Sequence, residues 1–222
     1  MKPAKKKIFI VDDHPLVRER LTELIDREAD LMVCGEAEDR SEAFAAILEK
    51  KPFLVLLDFT LKSSHGIDLI KDLRAAAPEI RLLVVSMHDE LLYAERCLRA
   101  GAHGYITKQQ ASRHVMQAIR RVLDGDLYLS DEVSKQLVER SLGAPRGRRS
   151  DSIVSNLADR ELQVFELIGQ GWSTRQIAES LSIDPKTIDT YRARIREKLG
   201  LKNSAELLQQ AIAWTQRPEE RP

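Results

Sequence analysis

This sequence has few cysteines, no long apolar run and no excess of charge of either sign. Its 222 residues include two cysteines, Cys34 and Cys97, which cannot form a disulfide framework and are typical of small buried side chains in a reducing compartment. The apolar run near the N-terminus covers only Ile8–Val11 and ends in two aspartates, so it is neither a signal peptide nor a membrane span. With 43% hydrophobic and 32% charged residues, the composition excludes secreted, collagenous, disordered and membrane proteins. We therefore expect a soluble, cytoplasmic protein of one or two domains.

The zero net charge argues against a nucleic-acid partner, but the distribution of charge along the chain is more informative than its sum. Lysine plus arginine number 35, and so do aspartate plus glutamate. Within residues 185–199, however, basic side chains outnumber acidic ones on one predicted helix. On charge alone, an ordinary solvated helix remains the favoured interpretation.

Two hydrophobic periods alternate in the first part of the chain. Short β-branched or apolar runs predict strands at Lys7–Val11, Met32–Gly35, Leu54–Leu57, Leu82–Val85 and Gly104–Ile106. Helical patterns lie between and after them, at 15–28, 41–50, 66–76, 89–100 and 112–124. Strands that alternate with helices of this length form right-handed βαβ units, so we predict an α/β domain with a doubly wound, five-stranded parallel sheet.

After this domain, only helical patterns remain. A helix is predicted at 131–141, and the stretch SLGAPRGRRSDS that follows is typical of a flexible, solvated linker, although its arginines could touch a DNA backbone. Further helices are predicted at 159–169, 174–181, 185–199 and 203–214. Two short helices joined by a tight turn and braced by a third indicate a small all-α helix-turn-helix domain. We expect domains at 1–128 and 156–216, joined by a linker helix and flexible linker at 129–155, with a tail at 217–222.

Polar residues follow the predicted strands at one edge of the sheet. Asp12 and Asp13 follow the first strand, Asp58 the third, Ser86 the fourth and Lys108 the fifth. Because ligands bind outside the carboxyl ends of the strands in open α/β sheets, we expect these side chains to converge. Clustered carboxylates repel each other, and a Mg²⁺ ion, which prefers oxygen ligands, relieves that repulsion. An ionised Asp58 could then act as a nucleophile toward a phosphoryl group, with the lysine and the hydroxyl neutralising its oxygens. A single strand-end aspartate is more often a helix cap, but the full ordered set favours the functional interpretation.

The segments IFIVDDHPLVR, LVLLDFTL, VVSMH and GYITK resemble the receiver domain of two-component response regulators of the NarL/FixJ type. The resemblance implies a flavodoxin/CheY-like fold and a phosphorylated Asp58. It implies Mg²⁺ ligation by Asp13, Asp58 and the backbone carbonyl of Thr60, with Asp12 assisting through water. It further implies Lys108 as the phosphate partner and Ser86 as the hydroxyl switch. Tyr105 matches an aromatic residue that turns inward on switching, although a rim position on the last strand is the alternative.

One position departs from the receiver pattern. The family usually has proline four residues after the acceptor, where this chain has Lys62. Loss of the proline loosens the loop, and the cation could change the rate of phosphorylation or the choice of kinase. The histidines show no metal-ligand spacing. His14 and His88 could lie near the pocket, but we assign a role to neither of them.

The C-terminal part, LADRELQVFELIGQGWSTRQIAESLSIDPKTIDTYRARIREKLGL, resembles the LuxR-type helix-turn-helix. A helical wheel of 185–199 turns Ile188, Ile195 and Leu199 inward. On the remaining faces, phosphate contacts are expected from Lys186, Thr187, Arg194 and Lys198. Thr190 and Ala193 could contact thymine methyl groups, and Asp189, where many members have lysine, could accept from a cytosine amino group.

Two further features of this domain bear on its stability and assembly. Ala158 replaces a common Ser or Thr N-cap, which costs about 1 kcal/mol unless Asn156 or Asp159 substitutes. By resemblance, the last helix supplies a dimer contact, with the interior of the domain itself as the alternative location for its apolar side chains. The residues concerned are Leu207, Leu208 and Ile212.

The resemblance implies a DNA-binding response regulator whose phosphorylation at Asp58 switches promoter binding and transcription. Its expected partners are a sensor histidine kinase, double-stranded promoter DNA, RNA polymerase and a second copy of the chain. No association with a membrane is expected. One alternative is a Mg²⁺-dependent phosphatase that uses Asp58 as a transient nucleophile. Thr60 argues against it, because such enzymes need an acid two residues after the nucleophile. The other alternative is a pseudo-receiver that only binds a partner, against which the complete acidic set argues.

Overall fold

The chain forms two compact units, Met1–Ala144 and Pro145–Pro222. The computed structural model describes residues 5–61, 64–88, 90–142 and 154–216. The departure at Lys62 and most of the predicted flexible linker, 143–153, lie outside the described residues, as does the predicted tail at 217–222. None of the helices in the described ranges combines the length and apolar character needed to cross a membrane.

The first unit alternates strands and helices. Its strands are β1 (Lys6–Val11), β2 (Leu31–Ala37), β3 (Leu54–Asp58), β4 (Thr60–Leu61), β5 (Ser64–His65), β6 (Arg81–Ser86) and β7 (Gly104–Thr107). Its helices are α1 (Pro15–Asp26), α2 (Arg40–Lys50), α3 (Gly66–Ala76), α4 (Glu90–Ala100), α5 (Lys108–Leu123) and α6 (Asp131–Ser141).

The predicted five-stranded parallel sheet is confirmed in the described part of the chain. Its strand order is β2-β1-β3-β6-β7, and every neighbouring pair is parallel. All residues of β3 are buried, because helices cover both faces of this central strand. The register pairs Asp58 with Val85 and Ser86 with Thr107, so the carboxyl ends of β3, β6 and β7 meet at one edge.

The start of α5 differs from the prediction. The apolar period suggested residue 112, but the helix begins at Lys108, because Thr107 caps it by accepting a hydrogen bond from the backbone N–H of Gln110 at 3.2 Å. The first turn is polar and therefore invisible to an apolar pattern. This earlier start places Lys108 beside the carboxyl edge of the sheet.

The segment after α5 runs along the edge strand β7. The backbone N–H of Tyr105 donates to the carbonyl of Tyr128 at 2.9 Å, and the N–H of Tyr128 donates to the carbonyl of His103 at 3.1 Å. The N–H of Ser130 donates to the buried carboxylate of Glu90 at 2.7 Å. These bonds hold the segment before α6 against β7 and the first residue of α4.

The second unit is helical in its described residues, and its helices match the predicted ones. They are α7 (Asp159–Gly169), α8 (Thr174–Leu181), α9 (Pro185–Leu199) and α10 (Ser204–Thr215).

The caps of these helices follow from local sequence. Ser173 and Gln176 form the predicted capping box of α8, and the side chain of Asp184 caps α9. Ala158 is the N-cap residue of α7 and offers no side-chain acceptor, although its own N–H donates to the carboxylate of Glu161 at 2.8 Å. Only one of the two bonds of a capping box is therefore present at α7.

Helices α7 and α10 approach each other closely at Gly169. A Cβ atom added to Gly169 would lie 2.5 Å from the carbonyl oxygen of Ala211 and 2.5 Å from a methyl carbon of Thr215. Glycine is therefore required here for the close approach of two helix backbones. Leu207 is fully buried within the chain, so the predicted dimer contact is wrong for this residue, whereas Leu208 is 41% exposed.

Candidate phosphorylation pocket and DNA-reading helix

Acidic side chains gather at the carboxyl ends of β1 and β3. Asp12 and Asp58 are 2% and 4% exposed, and the ligand atoms of Asp12, Asp13, Asp58 and His14 all lie within 4.8 Å of one another. The parallel register of β1 and β3 brings the ends of these two strands together, although Asp12 and Asp58 are 46 positions apart in the sequence. His14 is an addition to the predicted set, since a lone histidine on the sequence carries no ligand spacing.

Lys108 reaches into this acidic cluster from the first turn of α5. Its Nζ atom lies 2.7 Å from Asp58 Oδ2 and 2.8 Å from Asp12 Oδ2, and the side chain is 10% exposed. Burying two carboxylates is costly unless a cation compensates them. The lysine therefore bridges the two acids and partly neutralises their charge.

The protonation of the pocket follows from burial and from this bridge. Burial raises the pKa of Asp58 to about 6, and the nearby charge of Asp12 acts in the same direction, while Lys108 opposes both effects. Burial lowers the pKa of Lys108, but its hydrogen bonds to Asp12 and Asp58 outweigh this effect and leave its pKa raised. At neutral pH, Asp58 is therefore ionised and Lys108 is charged, which is the state that nucleophilic attack requires.

The donor atoms of the pocket fit a hard divalent cation. Asp13 Oδ1 is buried and lies 2.7 Å from His14 Nδ1. The cluster holds three carboxylates, and Lys108 contacts two of them, so carboxylate charge exceeds lysine charge there; carboxylate oxygens are ligands that Mg²⁺ prefers. The His14 side chain is 65% exposed and therefore lies at the open side of the pocket.

The loop after β3 holds the Asp58 side chain in place. The backbone N–H of Thr60 donates to Asp58 Oδ1 at 3.2 Å, and Thr60 pairs with His65 in the short β4–β5 hairpin. A Cβ atom on Gly66 would lie 2.7 Å from the carbonyl oxygen of Asp58. The close approach of the chain after β5 to the end of β3 therefore requires glycine at this position.

Ser86 and Tyr105 are linked through His88. Ser86 Oγ accepts the backbone N–H of His88 at 3.0 Å, and the hydroxyl of Tyr105 donates to the carbonyl of His88 at 3.0 Å. Tyr105 is fully buried, so the alternative of a rim position is excluded. His88 Nε2 lies 2.8 Å from Thr60 Oγ1, which joins the loop after β6 to the loop after β3.

His88 was not assigned a role from the sequence, although its place two residues after a strand end could have indicated one. Its ring packs against Phe59 and Tyr93, with centroid distances of 5.3 and 4.9 Å. Burial lowers the pKa of His88, and the charge of Lys108 lowers it further, so the ring is neutral at physiological pH.

In the second unit, α9 presents the polar face that the helical wheel predicted. Ile188 and Ile195 are fully buried. Thr187 is partly buried, and the remaining predicted DNA contacts are exposed. The exposed residues are Lys186, Asp189, Thr190, Ala193, Arg194 and Lys198.

Two of these side chains already have partners within the chain. Lys198 Nζ donates to the buried carboxylate of Glu161 at 2.6 Å, and Thr190 Oγ1 donates to the backbone carbonyl of Lys186 at 3.0 Å. A phosphate contact by Lys198 therefore requires this ion pair to open.

Comparison with known families covers both units. The profile described as response regulator receiver domain matches residues 8–120. The profile described as bacterial regulatory proteins, luxR family, matches residues 155–211. The two matches contain the acidic pocket and the α8–α9 pair, respectively.

Individual relatives match along nearly the whole chain. The response regulator GacA of Pseudomonas protegens is 34% identical over 206 residues, which cover 93% of this chain and 95% of that protein. The oxygen regulatory protein NreC of Staphylococcus haemolyticus is 30% identical over 212 residues, which cover 93% and 96%. Among solved structures, one match is RcsB from Salmonella enterica serovar Typhimurium, bound to promoter rprA in the presence of the phosphomimetic BeF3⁻. It is 26% identical, has a TM-score of 0.67, and the match covers 92% of this chain and 97% of that one. The chain therefore belongs to the DNA-binding two-component response regulators of the NarL/FixJ type, which join a receiver domain to a LuxR-type helix-turn-helix.

Proposed function

We propose that Asp58 is the phosphoryl acceptor and that its phosphorylation switches promoter binding. The observation that carries this proposal is the buried bridge from Lys108 to Asp58 and Asp12, at 2.7 and 2.8 Å. A carboxylate oxygen of Asp58 attacks the phosphorus of a phosphohistidine on a sensor histidine kinase, or of a small acyl phosphate. A new oxygen–phosphorus bond forms while the bond between phosphorus and the donor breaks. The Lys108 ammonium lies beside Asp58 and neutralises charge on the transferred group.

The metal in this proposal is Mg²⁺, held by Asp12, Asp13 and Asp58 together with the backbone carbonyl of Thr60. Support comes from the burial of Asp13 Oδ1 and from the clustering of the three carboxylates. A bound Mg²⁺ supplies positive charge that offsets the carboxylates and the incoming phosphoryl oxygens.

The switch in this proposal runs through Ser86 and Tyr105. The Ser86 hydroxyl accepts the N–H of His88 and keeps its own proton for a phosphoryl oxygen on Asp58, so a shift of Ser86 toward that oxygen would pull on His88. Because Tyr105 bonds the carbonyl of the same residue, the loop and the buried ring move together. The N–H of Tyr105 also bonds Tyr128, so this movement reaches the segment before α6.

The proposed output is promoter recognition by α9. Lys186, Thr187 and Arg194 would contact phosphates, joined by Lys198 once its pair with Glu161 opens, while Asp189 and Thr190 would face base edges. Binding by a homodimer is supported by the exposure of Leu208 on α10. RNA polymerase is a further proposed partner, and the promoter target would place the protein in the cytoplasm.

We propose a switch rather than a turnover enzyme. A phosphatase that uses Asp58 would need an acid two residues later, and this position is Thr60, whose hydroxyl is bonded to His88.

The acceptor is tested by phosphorylating the full chain with a small acyl phosphate and Mg²⁺, followed by intact-mass measurement. Wild type is expected to gain one alkali-labile, hydroxylamine-sensitive phosphoryl group, as an acyl phosphate does, and Asp58→Asn none. The control is Asp124→Asn, since Asp124 is exposed at the far end of α5 from Lys108. A label that persists in Asp58→Asn contradicts the assignment.

A further inference from the structure

Two acidic side chains are exposed on α9, Asp189 in the first half of the helix and Glu197 in the second. Asp189 is exposed and makes no hydrogen bond or ion pair with any described residue. Arg192, three residues later, points elsewhere, since its guanidinium donates to Thr174 at 3.3 Å. Among the described residues, this carboxylate therefore has no directly bonded cationic partner.

The neighbour of Asp189 presents a methyl group rather than a hydroxyl. Thr190 Oγ1 donates to the carbonyl of Lys186 at 3.0 Å, which uses the polar atom of this side chain inside the helix. Ala193, three residues further along and exposed, lies on the same face. The helix thus offers a carboxylate beside two methyl groups, with Lys186 one turn before them.

A carboxylate is a poor neighbour for DNA unless it meets a hydrogen-bond donor, because phosphates repel it. In the major groove, cytosine offers an amino donor without an adjacent acceptor, whereas adenine offers its amino group beside N7, and guanine and thymine offer acceptors. The thymine methyl group is the apolar partner that fits Thr190 and Ala193.

We propose that Asp189 is a specificity-determining residue that selects a cytosine in the major groove, next to a thymine read by the methyl groups of Thr190 and Ala193. This inference rests on the proposed promoter recognition by α9. The position of Asp189 in the first half of the helix agrees with it, since the N-terminal residues of recognition helices contact base edges.

The experiment selects binding sites from a randomised double-stranded DNA pool with the full chain, in Mg²⁺ and beryllofluoride. Wild type is expected to enrich a site with a cytosine at one position of each half-site. In Asp189→Asn, the preference for that cytosine falls by about tenfold and shifts toward adenine, because an amide can pair with adenine N6 and N7. The other positions of the site keep their preferences.

The matched control is Glu197→Gln, which removes one negative charge from an exposed position two turns further along α9. It is expected to raise affinity slightly for all sequences and to leave the enriched site unchanged. If Asp189→Asn behaves like this control, with a uniform gain and the same site, the reading by Asp189 is overturned while promoter recognition stands. If wild type enriches no site although it binds DNA, both the inference and the proposed function fall.

Discussion

Replacing Asp58 by asparagine should make the metal-free receiver domain more stable at neutral pH. Burial holds the pKa of Asp58 at about 6 in the folded protein, against an ordinary value of 3.8. A raised pKa means that the stability contributed by this group is fully present below about pH 4 and is lost as the pH rises through about 6. Since one pKa unit corresponds to about 1.4 kcal/mol, the ionised group costs about 3 kcal/mol at neutral pH.

Asparagine has nearly the shape of the protonated acid and carries no charge, so Asp58→Asn should recover this free energy. We expect the unfolding free energy of the receiver domain to rise by about 3 kcal/mol at about pH 7.5 and by less than about 1 kcal/mol at about pH 4. Lys108 keeps its second partner, Asp12, at 2.8 Å in the variant.

The measurement is urea unfolding of the full chain in a chelating buffer, followed by far-ultraviolet circular dichroism. Both tryptophans, Trp172 and Trp214, belong to the second unit, so tryptophan fluorescence reports that unit separately and should not change. Asp124→Asn serves as the control for the loss of an exposed aspartate.

If Asp58→Asn is less stable than wild type at neutral pH, or if its gain in stability is the same at both pH values, then the ionised Asp58 does not carry the cost assigned to it. Added Mg²⁺ should stabilise wild type more than the variant and narrow the difference, because the ion binds only the folded protein.

Two further predictions concern the second unit. Lys186→Ala should weaken DNA binding and reduce the slope of log affinity against log salt by about one, measured by fluorescence anisotropy; an unchanged slope removes Lys186 from the phosphate contacts. Gly169→Ala should lower the unfolding free energy of the second unit by about 1–3 kcal/mol, because its methyl group would lie 2.5 Å from the carbonyl oxygen of Ala211. The measurement is urea unfolding followed by tryptophan fluorescence. An unchanged midpoint would show that α7 and α10 can move apart without cost.

Much of the fold could be predicted because the signals for it are local. The continuous apolar run at β3 predicts a strand covered on both faces, and the Asp184-Pro185 pair predicts the start of α9. The start of α5 was missed because its first turn is polar and lies outside the apolar period, although the Thr107 cap is a local signal for it.

The carboxylate set of the pocket was accessible from the sequence, because parallel strands end at the same edge of a sheet and Asp12 and Asp58 each end a strand. The contacts that govern the chemistry of the pocket could not be predicted from the sequence. These contacts depend on distances between side chains that are up to about a hundred residues apart in the sequence. They include the bridge from Lys108 to both acids, the positions of His14 and His88 at the pocket, and the burial of Tyr105.

By itself, the sequence determined the strands, the helices, their caps and the edge at which the acids gather, since periodicity and capping act over a few residues. Tertiary structure alone decided that Lys198 is paired with Glu161 and that Leu207 faces the interior. The reason is that an exposed and a buried position on a helix look alike until the neighbouring helices are in place.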